Sequence, residues 1–203
     1  MAVMDLIDAF ASNEPVPGGG SASALAGAVG AALLLMVAGM SKTRSGAPEE
    51  TADLAEAAAR LRPLRDRLTA LIDEDSEAYA AVAAALRMPR GRDEEKAARR
   101  AAIQAGTIRA TEVPLETMRA CREALRHAVV VARNGNRNAA SDVGVALELL
   151  AAAVRGAGLN VEINLAGLDD RSYADRAQWE RDDLQRTAEE AAGDARRFLN
   201  EAR

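Results

Sequence analysis

Residues 15–40 decide the fold of this 203-residue chain, and they read PVPGGGSASALAGAVGAALLLMVAGM. After the three glycines, the segment from Ser21 to Met40 contains no charged residue and consists mainly of alanine, glycine and leucine. Alanine and leucine favour helix strongly, so the segment predicts one uncharged helix. Such a helix is expected to be buried on all sides, either by the other helices of the chain or by a partner subunit.

Two further properties of this helix bear on its surroundings. Small residues recur at Ala22, Ala26 and Gly30, a spacing that lets another backbone approach closely. The helix is also about long enough to cross a bilayer. Because it is rich in alanine and glycine and the chain has no second stretch like it, the sequence favours a buried core helix over a membrane span.

The remainder of the chain also predicts helices. Aromatic residues make up only 2 % of the sequence and strand-forming residues are sparse, which favours an all-α fold. We expect a helical bundle around the uncharged helix, formed by residues 1–203 as a single domain. Pro63 and Pro114 are expected to kink or break their helices, and Ser141 is expected to cap one. The other predicted helices cover residues 2–12, 49–87, 93–112, 114–133, 141–168 and 171–203.

The charge and the cysteine count narrow the class of protein. A formal net charge of −5 argues against non-specific binding to nucleic acid, which needs a cationic face. With one cysteine, Cys121, and one histidine, His127, the chain lacks an internal disulfide and the cysteine- or histidine-rich metal motifs. The first residues lack the cationic and apolar pattern of a secretory leader. We therefore expect a cytoplasmic protein that does not use a metal.

The glycine loop, Pro15 to Ser21, leads directly into the uncharged helix. Without side chains at Gly18, Gly19 and Gly20, a ligand can lie against backbone N–H groups, and a helix N-terminus favours an anion. The equally weighted alternative is a flexible loop with Ser21 as the N-cap. A phosphate-binding P-loop is excluded because Ser21 stands where a lysine is required, and the dinucleotide fingerprint lacks its third glycine.

Three polar clusters are candidates for chemistry. Asp75 and Tyr79 are four residues apart and share a helix face, which Asp73 does not. A carboxyl buried there would have a raised pKa suited to proton transfer, although spacing alone favours solvated aspartates. Asn160 and Asn164 share a face of an apolar helix, so they either link helices or face a ligand. The third cluster is either a local turn or a polar lining for a ring, and comprises Asn134, Asn136, Asn138, Ser141 and Asp142.

The order of these motifs resembles the cyclodeaminase/cyclohydrolase family over about residues 4–200. This family includes the C-terminal domain of formiminotransferase-cyclodeaminase and stand-alone methenyltetrahydrofolate cyclohydrolases. The motifs that carry the resemblance are Pro15-Val-Pro-Gly-Gly-Gly-Ser21, Asp75-Ser-Glu-Ala-Tyr79, Met88-Pro89-Arg90, Val113-Pro114-Leu115, Gly135-Asn136, Ser141-Asp142 and Asn160-Val-Glu-Ile-Asn164-Leu165.

The resemblance implies an all-α homodimer built around the long helices and acting on a tetrahydrofolate derivative, with or without a polyglutamate tail. It implies Asp75 as the catalytic acid and base, with Asp142 and the glycine loop lining the same cleft. For the mechanism, we assign Tyr79 a supporting hydrogen bond. Gly18, Gly19, Gly20, Ser21 and Lys42 would meet the anionic tail, while Asn136, Asp142, Asn160 and Asn164 would line the pterin side. No cofactor is implied beyond the folate substrate.

Two reactions fit this resemblance, and the sequence does not choose between them. Both proceed through a tetrahedral carbon between N5 and N10 of the folate. Cyclodeamination of 5-formiminotetrahydrofolate releases ammonia, and the cyclohydrolase reaction adds water to 5,10-methenyltetrahydrofolate. The alternative from another class is a non-catalytic folate-binding protein or helical scaffold.

Overall fold

The computed structural model describes residues 3–200, which form six α-helices and no strand. The all-α prediction is therefore confirmed. Residues 2 and 201–203, which belong to the predicted terminal helices, lie outside the described residues. A 3₁₀ turn at Arg137–Ala139 precedes the fifth helix. The helices are α1 (Val3–Ala11), α2 (Gly19–Ala38), α3 (Pro48–Leu86), α4 (Asp93–Asn134), α5 (Ala140–Leu165) and α6 (Arg171–Asn200).

The two internal prolines do not end their helices. Pro63 lies inside α3 and Pro114 lies buried inside α4, so of the two expected outcomes, a kink or a break, the break does not occur at either proline. A proline removes one hydrogen bond and costs about 3 kcal/mol inside a helix. Here α3 and α4 pack against each other along their length, and this tertiary packing outweighs the local cost.

Neither predicted serine cap is present. Helix α2 begins at Gly19 after an extended Gly18, and no side chain caps it, because Ser21 lies inside the helix and bonds elsewhere. Helix α5 begins at Ala140, which places Ser141 in its first turn. The preceding turn is capped instead by Asn136, whose Oδ1 accepts a hydrogen bond from the Asn138 N–H at 3.0 Å.

The core lies around α4, which packs against α2, α3, α5 and α6. Alanine and leucine fill this core, with Leu34, Leu68, Leu115 and Leu147 fully buried. Helix α2 lies against α3 on one side and against α5 on the other, and the two helices α2 and α5 run antiparallel. The N-terminal end of α2 is thereby held between α3 and the C-terminal end of α5.

The outer side of α2 is not covered within a single chain. Ala22, Val29, Ala32 and Met36 are exposed on it, so the expected burial on all sides does not occur in one copy. Among the described residues, α2 is also the one helix whose length and composition would allow it to span a membrane, and half of it is buried inside the protein.

Candidate active site

The glycine loop and the middle of α3 meet at Asp75. The Ser21 N–H donates a hydrogen bond to Asp75 Oδ2 at 2.8 Å, and Ser21 Oγ lies 3.0 Å from the same oxygen. This approach requires a glycine at position 20, because a Cβ there would overlap the Asp75 carboxyl group. The sequence-predicted partners Gly20, Ser21 and Asp75 thus form one cluster.

The Ser21 hydroxyl has a second acceptor within reach. Its Oγ lies 2.8 Å from the backbone carbonyl oxygen of Ile72 and 3.2 Å from Ser76 Oγ. When Asp75 is charged, the hydroxyl can donate to the carboxylate; when Asp75 is protonated, it can accept from the carboxyl and donate to Ile72. Both protonation states of Asp75 are therefore hydrogen-bonded without movement of a heavy atom.

The pKa values of Asp75 and of the preceding residue, Glu74, are shifted in opposite directions. Burial raises the pKa of the Asp75 carboxyl, and the two hydrogen bonds from Ser21 offset this in part because they favour the charged form. The hydrogen bonds from Arg67 are the main cause that lowers the pKa of Glu74, to which Arg109 also contributes. Of these two adjacent acids, only Asp75 has its pKa raised, which is the direction that favours exchange of a proton.

A cavity of about 360 Å³ opens beside Asp75. This volume is within the range of small-molecule sites. Its walls come from the glycine loop and from α3, α4 and α5. Asp75 Oδ1 makes no hydrogen bond within residues 3–200, so one carboxylate oxygen is free for a ligand. The lining residues are Pro15, Val16, Gly18, Gly19, Gly20, Asp75, Tyr79, Val82, Ala110, Asn160, Ile163 and Asn164.

Asn160 and Asn164 form the polar part of the α5 wall. The Asn160 amide donates to the Gly156 carbonyl at 2.9 Å, and the Asn164 amide donates to the Ala110 carbonyl of α4 at 2.8 Å. Asn164 thus links two helices and also lines the cavity. Because both NH₂ groups are anchored on backbone carbonyls, the two Oδ1 atoms remain as acceptors for the N–H groups of a ring.

Tyr79 stands at the rim of the cavity, one helical turn beyond Asp75. Its side chain is 47 % exposed, and its hydroxyl makes no hydrogen bond within the described part of the chain. The implied hydrogen bond between Tyr79 and Asp75 is therefore absent from the described residues. Tyr79 instead offers a ring face and a free hydroxyl to whatever enters.

Three of the implied binding residues lie away from this cavity in a single chain. Lys42 follows the C-terminal end of α2, which is about 30 Å from the glycine loop at 1.5 Å per residue. Asn136 caps the 3₁₀ turn, and Asp142 lies in the first turn of α5. Because α2 and α5 are antiparallel, these residues share the end of the bundle opposite Asp75, and their binding roles stay predictions.

Four lining residues were not predicted individually as site residues. Val82 and Ile163 are ordinary apolar residues that happen to share helix faces with Tyr79 and Asn160, so helical spacing from those residues would have indicated them. Val16 was visible only as part of the glycine loop. Ala110 lies on α4, which reaches the cavity only through tertiary packing, and nothing local distinguishes it.

Among residues 3–200, no group of three or more histidine, cysteine, aspartate or glutamate side chains is placed to hold a metal ion. The site consists of one tuned carboxyl group, backbone N–H groups, two amides and an aromatic ring. This set can bind a small molecule and transfer a proton to or from it.

Comparison with known proteins agrees with this chemistry. A family model described as formiminotransferase-cyclodeaminase matches residues 2–183. The chain belongs to the formiminotransferase-cyclodeaminase family. This membership confirms the resemblance in the sequence motifs.

Relatives in the formiminotransferase-cyclodeaminase family include stand-alone and bifunctional enzymes. The methenyltetrahydrofolate cyclohydrolase of Methylorubrum extorquens is 46 % identical over 169 residues, which cover 83 % of this chain and 81 % of that protein. The formimidoyltransferase-cyclodeaminase of Gallus gallus is 32 % identical over 167 residues, which cover 82 % of this chain and 31 % of that protein. The chain thus spans about a third of the length of the bifunctional relative.

The fold of the formiminotransferase-cyclodeaminase family is also recognised from structure. The crystal structure of formiminotetrahydrofolate cyclodeaminase from Thermotoga maritima superposes with a TM-score of 0.87. The match covers 98 % of this chain and 96 % of that one, at 24 % identity. At this identity the match supports the helical architecture, and activity has to be argued from the site.

Proposed function

We propose that this protein is a folate one-carbon enzyme that makes or breaks a C–N bond at the carbon bridging N5 and N10 of tetrahydrofolate. The observation that carries the proposal is Asp75, a carboxyl with a raised pKa, one free oxygen and a hydrogen-bonding partner for each protonation state. The relatives are named as enzymes of this chemistry, which supports catalysis over the alternative of a non-catalytic folate-binding or scaffold protein.

Of the two reactions, hydrolysis of 5,10-methenyltetrahydrofolate has the stronger support. The stand-alone relative named for this reaction is 46 % identical and is covered over 81 % of its length. The relatives named for cyclodeamination match over about a third of their length. Cyclodeamination of 5-formiminotetrahydrofolate remains the second candidate because the folds are shared.

The proposed hydrolysis uses Asp75 twice. The Asp75 carboxylate takes a proton from water as its oxygen bonds to the methenyl carbon, which neutralises the iminium cation and gives a carbinolamine. The Asp75 carboxyl then gives that proton to N5 as the bond between N5 and the carbon breaks. The carbinol hydroxyl loses its proton to solvent, which leaves 10-formyltetrahydrofolate and a net release of one proton.

The other cavity residues would orient the substrate for this step. The Asn160 and Asn164 Oδ1 atoms line the cavity and would accept hydrogen bonds from N–H groups of the pterin, and Tyr79 would offer its ring at the rim. General acid–base catalysis of this kind contributes about 10²–10⁴-fold to a rate.

The test compares Asp75→Asn with Asp73→Asn. The amide introduced by Asp75→Asn keeps the shape of the side chain and an acceptor for Ser21 but cannot carry the proton, so turnover of methenyltetrahydrofolate should fall by about 10²-fold or more. Asp73 is exposed on another face of α3, so its variant should keep wild-type rates. The readouts are loss of methenyl absorbance, ammonia release from the formimino substrate, and circular dichroism as a control for folding.

Two results would contradict the proposed function. Near wild-type turnover of Asp75→Asn would refute the proton-transfer role. Tight folate binding by the wild-type protein without turnover of either substrate would identify a binding protein.

We also infer the oligomeric state, cellular location and cofactor requirement of the protein. The protein should act as a homodimer in the cytoplasm, accept folates with or without a polyglutamate tail, and need no metal or cofactor beyond its substrate. It should bind neither nucleic acid, given its net charge of −5, nor membranes. Purification without detergent, undiminished activity in a chelator, and light scattering at the dimer mass would agree with this.

A further inference from the structure

Helices α2 and α5 approach each other closely at Ser23 and Gly156, one helical turn from the cavity. A Cβ on Gly156 would lie only 2.4 Å from Ser23 Oγ. Non-bonded atoms at van der Waals contact lie about 3.5 Å apart, so an alanine at position 156 would overlap this hydroxyl by about 1 Å. A glycine inside a helix is destabilising relative to alanine. The close approach of the two helices therefore depends on the missing side chain at this position.

Two hydrogen bonds connect this contact to the cavity. Ser23 is 7 % exposed, and its Oγ donates to the Gly19 carbonyl one turn earlier in α2 at 2.8 Å. The Gly156 carbonyl accepts from the Asn160 amide, one turn later in α5, at 2.9 Å. Gly19 and Asn160 both line the cavity. The contact between Ser23 and Gly156 is thus tied to one cavity residue on each helix.

The first turn of α2 is the common reference for two walls of the cavity. On one side, Ser21 holds this turn on α3 through its two hydrogen bonds to Asp75. On the other side, a Cβ on Gly19 would lie 3.6 Å from Asn160 Nδ2, so the same turn lies against the Asn160 amide. The separation of Asp75 and Asn160 therefore depends on how closely α5 packs on α2.

We propose that Ser23 and Gly156 are positioning residues that set the separation of Asp75 and Asn160. Within residues 3–200, neither of the two lines the cavity, so they act through the residues that do. The proposal rests on the proposed function, in which Asp75 moves the proton and Asn160 orients the ring. A misplacement of about 1 Å can reduce a rate by about 10²-fold, and this is the size of the shift that a methyl group at position 156 would require.

The test compares Gly156→Ala with Gly158→Ala on the same helix. A Cβ on Gly158 would lie 3.5 Å from Met118 Cε and 3.8 Å from Arg181 Cγ, which are ordinary contacts. Both variants replace a helical glycine by alanine, so they share the same gain in helix propensity. Gly156→Ala should lower kcat by about tenfold to a hundredfold, whereas Gly158→Ala should keep the wild-type value.

Two further readouts separate positioning from a general loss of structure. Gly156→Ala should still bind one folate per chain, because Asn160 and Asn164 remain together on α5. The acidic limb of its kcat/KM profile should also stay in place, because the hydrogen bonds from Ser21 to Asp75 lie between α2 and α3. A variant that is merely less folded would lose binding sites in proportion to kcat.

A compensating substitution tests the contact directly. Ser23→Ala removes the Oγ that the new methyl group would overlap, and the Ser23 Cβ would lie 3.5 Å from that methyl group, an ordinary contact. The double variant Ser23→Ala/Gly156→Ala should therefore recover the kcat of Ser23→Ala alone within about threefold. If Gly156→Ala does not fold by itself, this comparison of the double variant with Ser23→Ala decides the proposal.

Three outcomes would overturn the positioning role. They are a wild-type kcat for Gly156→Ala, an equal loss of kcat in Gly156→Ala and Gly158→Ala, and a folded double variant that is as slow as Gly156→Ala. A wild-type protein that turns over neither folate would instead contradict the proposed function. The Tm series then decides whether the contact exists: Gly156→Ala should unfold below Gly158→Ala, and equal Tm values would overturn it.

Discussion

At the scale of single residues, burial raises the pKa of Asp75, and the Ser21 hydroxyl should offset part of this rise. Its hydrogen bond favours the charged form of Asp75 and so lowers the pKa of that carboxyl. Ser21→Ala removes this bond and keeps the one from the backbone N–H. The pKa of Asp75 should therefore rise, and the acidic limb of kcat/KM should move to higher pH.

Ser76→Ala is the matched control for this shift. Ser76 Oγ lies 3.2 Å from Ser21 Oγ and makes no hydrogen bond to Asp75. Ser76→Ala should therefore leave the acidic limb of the kcat/KM profile close to its wild-type position. If the profiles of Ser21→Ala and wild type coincide, Asp75 is not the group that titrates in the free enzyme.

The same residues show how far the sequence predicts the site. Asp75, the glycine loop and Asn160 were identified from motif order, and the structure places them around one cavity. Spacing alone favoured solvated aspartates, because the burial of Asp75 depends on where α2 docks and not on its neighbours in the chain. The dual role of the Ser21 hydroxyl was hidden for the same reason, since Ile72 and Asp75 belong to another helix.

At the scale of helices, Arg67 joins α3 to α4 beside the site. Its guanidinium donates to Glu116 of α4 at 2.6 and 2.7 Å and to Glu74 of its own helix. Hydrogen bonds from Arg67 are the main cause that lowers the pKa of both carboxyls below the ordinary 4.5. The stabilisation from these pairs is therefore present above pH 4.5 and is lost as the pH falls through the lowered values.

Arg67→Met should accordingly destabilise the protein at neutral pH. The side chains are partly exposed, so solvent screening limits the loss to about 1 kcal/mol, or about 2–4 °C in Tm. Thermal unfolding at pH 7 and at pH 3 measures this, and the difference from wild type should shrink at pH 3. Arg62→Met, at an exposed position of α3, should change Tm little at either pH. A deficit of equal size at both values of pH would indicate lost packing instead of lost ion pairs.

The helices themselves were predicted better than their ends. Alanine-rich composition and charge patterning indicated every helix, because these properties are local. The sequence allowed either a kink or a break at Pro114. The break does not occur because the packing of α4 against several neighbours compensates for one missing hydrogen bond. The serine caps were wrong because both hydroxyl positions lie inside their helices, where tertiary contacts and a 3₁₀ turn determine the start.

At the scale of the whole molecule, the proposed homodimer should be sensitive to one charge on its exposed apolar surface. Leu159→Asp places a carboxylate at an apolar position of α5 that is 67 % exposed in one copy. If a second copy covers this position, the variant should lower the dimer affinity by about a hundredfold or more. Sedimentation or light scattering over a dilution series measures this. Wild-type Tm should also rise with protein concentration, since association stabilises the folded chain.

Trp179→Asp is the control for general surface effects. Trp179 is 72 % exposed and lies on a different helix, α6. Trp179→Asp removes an exposed apolar side chain at least as large as the one that Leu159→Asp removes, and this variant should remain a dimer. If Leu159→Asp and Trp179→Asp weaken the dimer equally, the dimer interface does not centre on Leu159.

The uncharged outer side of α2 also matters during synthesis. This helix is complete by residue 38, whereas α5 ends only at Leu165. At ribosomal rates of 5–20 residues per second, roughly ten seconds separate the two. During that interval the uncharged surface of α2 is exposed on the nascent chain, because neither α5 nor a second copy is yet present to cover it. Alanine and glycine expose little apolar side-chain area, so this surface associates weakly with other apolar surfaces. The small residues that allow tight packing in the folded protein therefore also limit aggregation of the unfinished chain.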